Sequence, residues 1–116
     1  MAEEEQDIDR KDSDGRTNLF KAARAGKTAE VKQLLERGAD ANTVDNSGWH
    51  ILMWVMWLCE VENTEIVAML INAGADLNVK DRDYGCTALM MAVFKRHLDM
   101  AKTLIKAGAD VNLRDN

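Results

Sequence analysis

One five-residue phrase, Gly-Ala-Asp-x-Asn, occurs three times in this chain. Its copies are Gly38-Ala39-Asp40-Ala41-Asn42, Gly74-Ala75-Asp76-Leu77-Asn78 and Gly108-Ala109-Asp110-Val111-Asn112, with the glycines 36 and then 34 residues apart. Each copy follows an amphipathic run and precedes a polar turn. A chain that repeats at this period is built of supersecondary units, none of which can bury its own apolar face, so neighbours must stack. With 116 residues there is room for one such domain.

The units read as helical hairpins. Asp12-Ser13-Asp14-Gly15 is a turn, with Asp to start it and Gly to tolerate a positive φ. Thr17 is the expected N-cap of a first helix over 18–25, with Leu19, Ala22 and Ala23 facing inward. Thr28 is the expected cap of a second helix over 29–37, whose Val31, Leu34 and Leu35 form one apolar stripe. The second unit starts at Asp45-Asn46-Ser47-Gly48, with helices expected over 50–58 and 64–73. The third starts at Asp81-Arg82-Asp83-Tyr84-Gly85, a turn one residue longer, with helices over 87–95 and 98–107. From turn Gly to cap Gly the count is 23, 26 and 23 residues, so the middle unit carries a three-residue insertion, Glu60-Val61-Glu62.

The pattern Asp12, Gly15, Thr17, Leu19, Ala22, Ala23, Gly26, Val31, Leu34, Leu35, Gly38, Ala39, Asp40, Asn42 resembles the ankyrin repeat. The resemblance implies an all-α solenoid of three stacked helix-turn-helix units with β-turn loops, over 12–44, 45–80 and 81–116, behind an acidic tail or partial cap at 1–11. The family's Thr-Pro-Leu-His is degraded in every copy, to Thr17-Asn18-Leu19-Phe20, His50-Ile51-Leu52-Met53 and Thr87-Ala88-Leu89-Met90. The missing Pro gives up a preset φ, and the missing His gives up a turn-bridging hydrogen bond that the resemblance implies. The small Ala-Ala pair becomes Val55-Met56 and Ala92-Val93, whose larger side chains are accommodated by a shift between repeats or cost stability. Asp115 stands where a fourth turn would start, so a longer parent, or a partner over the last face, is expected.

Composition narrows the function. A net charge of −5 argues against nucleic acid and anionic membranes, which want a basic face. The longest apolar run, Ile51 to Cys59, is too short to span a bilayer. Two cysteines without framework spacing point to reduced thiols in a cytoplasmic setting. No His/Cys set has zinc spacing and no Gly-rich loop has phosphate-loop spacing, so no metal or cofactor is expected.

In the ankyrin architecture the turns and the outward side of each first helix line a concave surface, which the resemblance maps to Ser13, Asp14, Arg16, Arg24 and Ala25 in the first unit. The second unit contributes Asn46, Ser47, Trp49, Trp57 and Leu58, and the third Asp83, Tyr84, Cys86, Phe94 and Lys95. Aromatic residues make up only 5% of the chain, yet four fall on this face. Trp and Tyr dominate binding hot spots because they bury much area at low rotamer cost. The expected site is therefore a protein or peptide-binding face of Trp49, Trp57, Leu58, Tyr84 and Phe94, rimmed by Arg16 and Arg24. Trp54 is expected inside, as are Met53, Met56, Met90 and Met91. His97 reads as structural.

An enzymatic alternative is an engineered Cys-His hydrolase for activated esters, with Cys86 as nucleophile and His50 as base. No third orienting group or oxyanion donor is evident for it, and the insertion favours a natural parent over an idealised design. His50 with Cys59 is a poor pair, because they lie at opposite ends of one helix. Self-association through the last face, around Met91, Phe94 and Met100, is a third possibility.

Overall fold

The computed structural model of the chain describes residues 7–58 and 63–115. Cys59, the insertion at 60–62 and the acidic start at 1–6 lie outside the described residues. Six helices follow in order: α1 (Asn18–Arg24), α2 (Thr28–Glu36), α3 (Ile51–Leu58), α4 (Thr64–Asn72), α5 (Ala88–Phe94) and α6 (Leu98–Lys106). They pair as three hairpins. α1, α3 and α5 stack in one row and α2, α4 and α6 in a second. The helices are where the periodicity puts them, each end falling within a residue or two of expectation. Among the described residues there is no strand, only an isolated antiparallel bridge between Val44 and His50.

The core lies between the rows. Leu19, Phe20, Val31, Ile51, Val55, Met56, Ile66, Val67, Leu70, Met100 and Leu104 are all sealed from solvent. Burying each such side chain contributes about 1.5–3 kcal/mol before entropy. Phe20 occupies the slot of the family's His and gives that hydrogen bond up for apolar burial. Val55 and Met56 fit inside the stack, whereas Val93 is 56% exposed and meets solvent instead of a neighbour.

Caps follow the sequence in part. The Thr17 and Thr87 hydroxyls accept from the amides of Phe20 (3.1 Å) and Met90 (3.3 Å). Asn63 caps α4 by accepting from Ile66 (3.1 Å). Thr28 does not cap α2. It is the first residue of that helix, the cap position falls on Lys27, and no side chain supplies the bond. The Thr28 hydroxyl instead meets the Asn63 amide of the next repeat at 3.4 Å. At α3, where His50 replaces Thr, the His50 amide donates only to the Met53 sulfur, at 3.5 Å.

The recurrent phrase is a joint between repeats. Within each copy the Asn amide donates to the carboxylate of the Asp two residues before it, as in Asn42 to Asp40 at 2.8 Å. The Asn side chain then reaches forward. Asn42 Oδ1 accepts from the Asp76 amide at 2.7 Å and its Nδ2 donates to the Gly74 carbonyl at 3.0 Å, while Asn78 Oδ1 accepts from the Asp110 amide at 2.8 Å. Asp9 makes the same reach to the Asp40 amide, at 2.8 Å, and its own amide is held by Asp7 at 2.9 Å. Asp7-Ile8-Asp9 therefore acts as Asp-x-Asn, with Ile8 packed against the core. The described part of the expected tail or partial cap contains this turn.

Candidate partner-binding face

Each repeat opens with a turn folded around an aspartate. Asp45 is nearly fully buried. Its Oδ1 accepts from the amides of Ser47 and Trp49, both at 3.0 Å, and from the Ser47 hydroxyl at 2.6 Å. Its Oδ2 accepts from the Trp54 indole at 2.8 Å and lies 3.4 Å from Arg16 Nε. Burial alone would raise the carboxyl's pKa. The hydrogen bonds from Ser47, Trp49 and Trp54 outweigh it and hold the group below its ordinary value. Gly48 closes this turn at φ +83°, with the Arg82 side chain of the next repeat against it, so a Cβ has no room there.

Trp54 is not a core residue, contrary to expectation. It is half-buried, and the cause is its N–H, which an apolar interior cannot satisfy and Asp45 does. Arg16 and Arg24 do not rim an open patch. Their guanidinium carbons lie 5.3 and 5.8 Å from the Trp54 ring centroid, a cation–π arrangement.

From Trp54 the aromatics run on toward the third repeat. The Trp49 centroid is 4.7 Å from Trp54 and 6.0 Å from Trp57, and Trp57 stacks on Phe94 at 5.7 Å with 11° between planes. Lys95 Nζ lies 4.9 Å from the Trp57 centroid. Trp49 and Trp57 are half-buried, neither sealed nor fully open. Leu58 is 45% exposed, Tyr84 70% and Phe94 74%. Trp49, Trp57, Tyr84 and Phe94, with Met90, line an open groove of about 860 Å³ whose polar wall includes Asp81, Arg114 and Asp115. Leu58, Arg16 and Arg24 lie outside this lining. Met53, Met56 and Met91 are buried as expected, but Met90 is half-buried at the groove.

The groove-wall residues Met90, Asp81, Arg114 and Asp115 were not singled out as a site from sequence. Their signal was the register: Asp81 and Asp115 occupy the turn-start positions.

Cys86 lines the groove, half-buried. Burial, then the charges of Asp81 and Asp115, push its thiol up, the reverse of what a nucleophile needs. Burial lowers the pKa of His50, against the opposing pull of Asp76 and Asp45. The charged groups acting on His50 and on Cys86 are thus different ones, and no hydrogen bond joins the two residues. Nothing in this arrangement supports a hydrolytic pair. His97 is buried, its amide donating to the Ala92 carbonyl at 2.8 Å.

Helical hairpins stacked in register, joined by hairpin-like turns and Asn bridges, define a helical solenoid repeat protein. The chain belongs to the ankyrin repeat family: a model of ankyrin repeats in three copies matches residues 1–81 and 54–115. The chain is similar to an ankyrin repeat domain from Acinetobacter baumannii AYE, solved by crystallography. The TM-score is 0.84 at 33% identity, over 90% of this chain and 54% of that one. It is 44% identical over 63 residues to the human mitochondrial disaggregase, covering 54% of this chain and 8% of that protein. It is 35% identical over 75 residues to human neurogenic locus notch homolog protein 2, covering 65% of this chain and 3% of that protein. The chain thus spans under a tenth of these curated relatives. Ankyrin repeats are generally protein-interaction modules. No helix of the described residues is long and apolar enough to cross a membrane.

Proposed function

We propose that this chain recognises an extended segment of a partner protein in the groove between the second and third repeats. Trp49, Trp57, Tyr84 and Phe94 are its anchors and Leu58 extends its apolar edge. The observation that carries the reading is the exposure of Phe94 and Tyr84, at 74% and 70%, beside a row of indoles already packed against the core. Large rings left in water on a concave face lose that exposure when a partner docks. Arg16 and Arg24 support the site from behind by bracing Trp54. Two cysteines without a framework spacing fit a reducing compartment such as the cytoplasm.

The test uses peptides selected on the immobilised chain from a random display library and measured by calorimetry. Phe94→Ala, Tyr84→Ala and Trp57→Ala should each weaken binding by about 2 kcal/mol. Selected peptides that bind all three variants as well as the parent overturn the reading.

A second reading has its own observation. Val93 and Val111 are 56% and 60% exposed, whereas their counterparts in the first repeat, Ala23 and Ala41, are 0% and 4% exposed beneath the next repeat. The opposite end of the stack, around Lys21, Arg24, Lys27 and Arg37, is charged. The last face would therefore pair with the same face of a second copy, tail to tail. Light scattering across a concentration series should show a dimer that Val93→Asp abolishes. A chain that is monomeric throughout removes this reading.

A further inference from the structure

The three turn aspartates are equivalent by position, and the first two are each met by a cation of the chain. Asp12 lies 3.5 Å from Lys21 Nζ. Asp45 lies 3.4 Å from Arg16 Nε. Asp81 is 3% exposed, and its carboxylate accepts from the amides of Cys86 (2.6 Å), Tyr84 (3.2 Å) and Asp83 (3.3 Å). Among the described residues no cation pairs with it. The register explains why. The position that holds Lys21 in the first repeat and Trp54 in the second holds Met91 in the third, a side chain with no donor. The position from which Arg16 reaches forward to Asp45 holds Trp49 in the second repeat, and Trp49 offers Asp81 a ring and no charge. The neighbouring cations are placed elsewhere. Lys80 Nζ donates to the Arg114 carbonyl at 2.7 Å, Arg82 donates to the Asn46 carbonyl at 2.9 Å, and Lys95 lies over Trp57. Arg114 lines the groove but makes no ion pair with Asp81.

From these observations we infer that the groove takes a basic side chain of the partner segment, arginine or lysine, with its cationic head toward Asp81 and its stem between Trp49, Tyr84 and Phe94. This deepens the proposed partner-binding reading and rests on it. Asp115 adds a second carboxylate to the same wall. Cys86 lines the same groove, and after burial the charges of both aspartates raise its pKa. The rings suit the same guest, because a desolvated cation over a Trp or Tyr face gains from the ring quadrupole. The chain already uses that contact three times, with Arg16 and Arg24 on Trp54 and Lys95 on Trp57. A carboxylate removed from water favours a cation that arrives with its own hydrogen bonds, and arginine presents a planar fork that also stacks on aromatic faces.

The probe is a pair of pentapeptides, Ac-Gly-Leu-Arg-Leu-Gly-amide and the same peptide with uncharged citrulline for arginine, titrated against the full chain by heteronuclear NMR. The arginine peptide should bind about tenfold more tightly, shifting the indole signals of Trp49 and Trp57 and the amide of Cys86. Met91→Lys restores the internal cation of the first repeat and should bring the two peptides to equal affinity. Asp115→Asn, on an exposed side chain, should lower the preference about twofold without touching the core, and so keeps the inference testable if Met91→Lys fails to fold. Equal binding of both peptides to the parent overturns the cation inference and leaves the groove reading intact. So does a preference that survives in folded Met91→Lys or is unmoved by Asp115→Asn. If neither peptide binds, the cation inference falls, and the library-selected peptides decide the groove independently.

Discussion

The second and third repeats begin from the same plan and finish it differently. In the second, Asp45 is closed on all sides by its own turn, the Trp54 indole, and Arg16 from the repeat before. In the third, Asp81 is held among the described residues only by backbone amides and lines a groove of aromatic rings. The difference lies in two side chains, Trp54 against Met91 and Arg16 against Trp49. A repeat that satisfies its own charge becomes scaffold; one that leaves it unanswered is open to an outside group. In a solenoid such divergence is tolerated because each hairpin contacts only its neighbours, so a change in one turn does not propagate along the stack.

The largest expected effect breaks that comparison directly. Asp45→Ala should cost about 3–4 kcal/mol, because it strands the Trp54 N–H, two amides and the half-buried Arg16 charge together. Asp81→Ala removes the acceptor of three backbone amides but no ion pair, and should cost about 2 kcal/mol. Urea denaturation of the two variants checks both the order and the gap. If Asp81→Ala proved as costly as Asp45→Ala, the third turn would be using its carboxylate as fully as the second. The contrast would then be one of appearance.

Much of this was legible in the sequence, and where it was not the reasons are physical. The recurrent Gly-Ala-Asp-x-Asn made the stacking legible, because its Asn is the bridge between repeats, at Asn42 and again at Asn78. Helix positions followed from Leu19, Val31 and Ile66 and their periodic partners, which burial alone decides. Trp54 misled because periodicity treats an indole as apolar, while its N–H must find an acceptor; Asp45, nine residues earlier, was that acceptor. Thr28 misled because a Thr before an apolar stripe reads as a cap whether or not its hydroxyl turns back to the helix. Asp9 was legible in principle: it precedes Asn42 by 33 residues, a repeat period, but an Asp accepting where an Asn is expected does not match the phrase. The four rings of the groove were legible through the resemblance, but how they pack was not, since that depends on which ring meets which across two repeats.

A smaller effect sets the second repeat against both of its neighbours. Thr17 and Thr87 cap their helices; His50 does not, and its Nδ1 is buried without a partner among the described residues. His50→Thr should stabilise the chain by about 1 kcal/mol by restoring the cap. It should also change the response to acid. Burial depresses the folded-state pKa of His50, so the unfolded chain binds the proton more readily. Stability is then full above the ordinary histidine value of about 6.5 and declines as pH falls through that value toward the folded one. The parent should lose stability as pH falls below about 7, and His50→Thr should lose less. Thermal melts of both proteins across that range measure it, and parallel curves would mean that His50 is not the group responsible.

The smallest effect compares the first repeat with the third at the slot between their helices. Gly26 occupies it in the first, at φ +75°, with open space where a Cβ would stand. Arg96 occupies it in the third at φ +64°, a left-handed conformation that costs an ordinary residue about 1 kcal/mol. The two sites share a backbone, since the Lys27 amide donates to the Ala22 carbonyl at 2.9 Å as the His97 amide does to Ala92. Arg96→Gly relieves the strain but enlarges the freedom of the unfolded chain, so the net gain should be about 0.5 kcal/mol. Gly26→Ala, with nothing for its Cβ to strike, should lose about 1 kcal/mol from the backbone alone. Paired urea melts resolve the opposite signs. A loss on Arg96→Gly would show that the Arg96 side chain holds α5 and α6 together more strongly than its backbone strains them, and the two slots would then be alike in shape only.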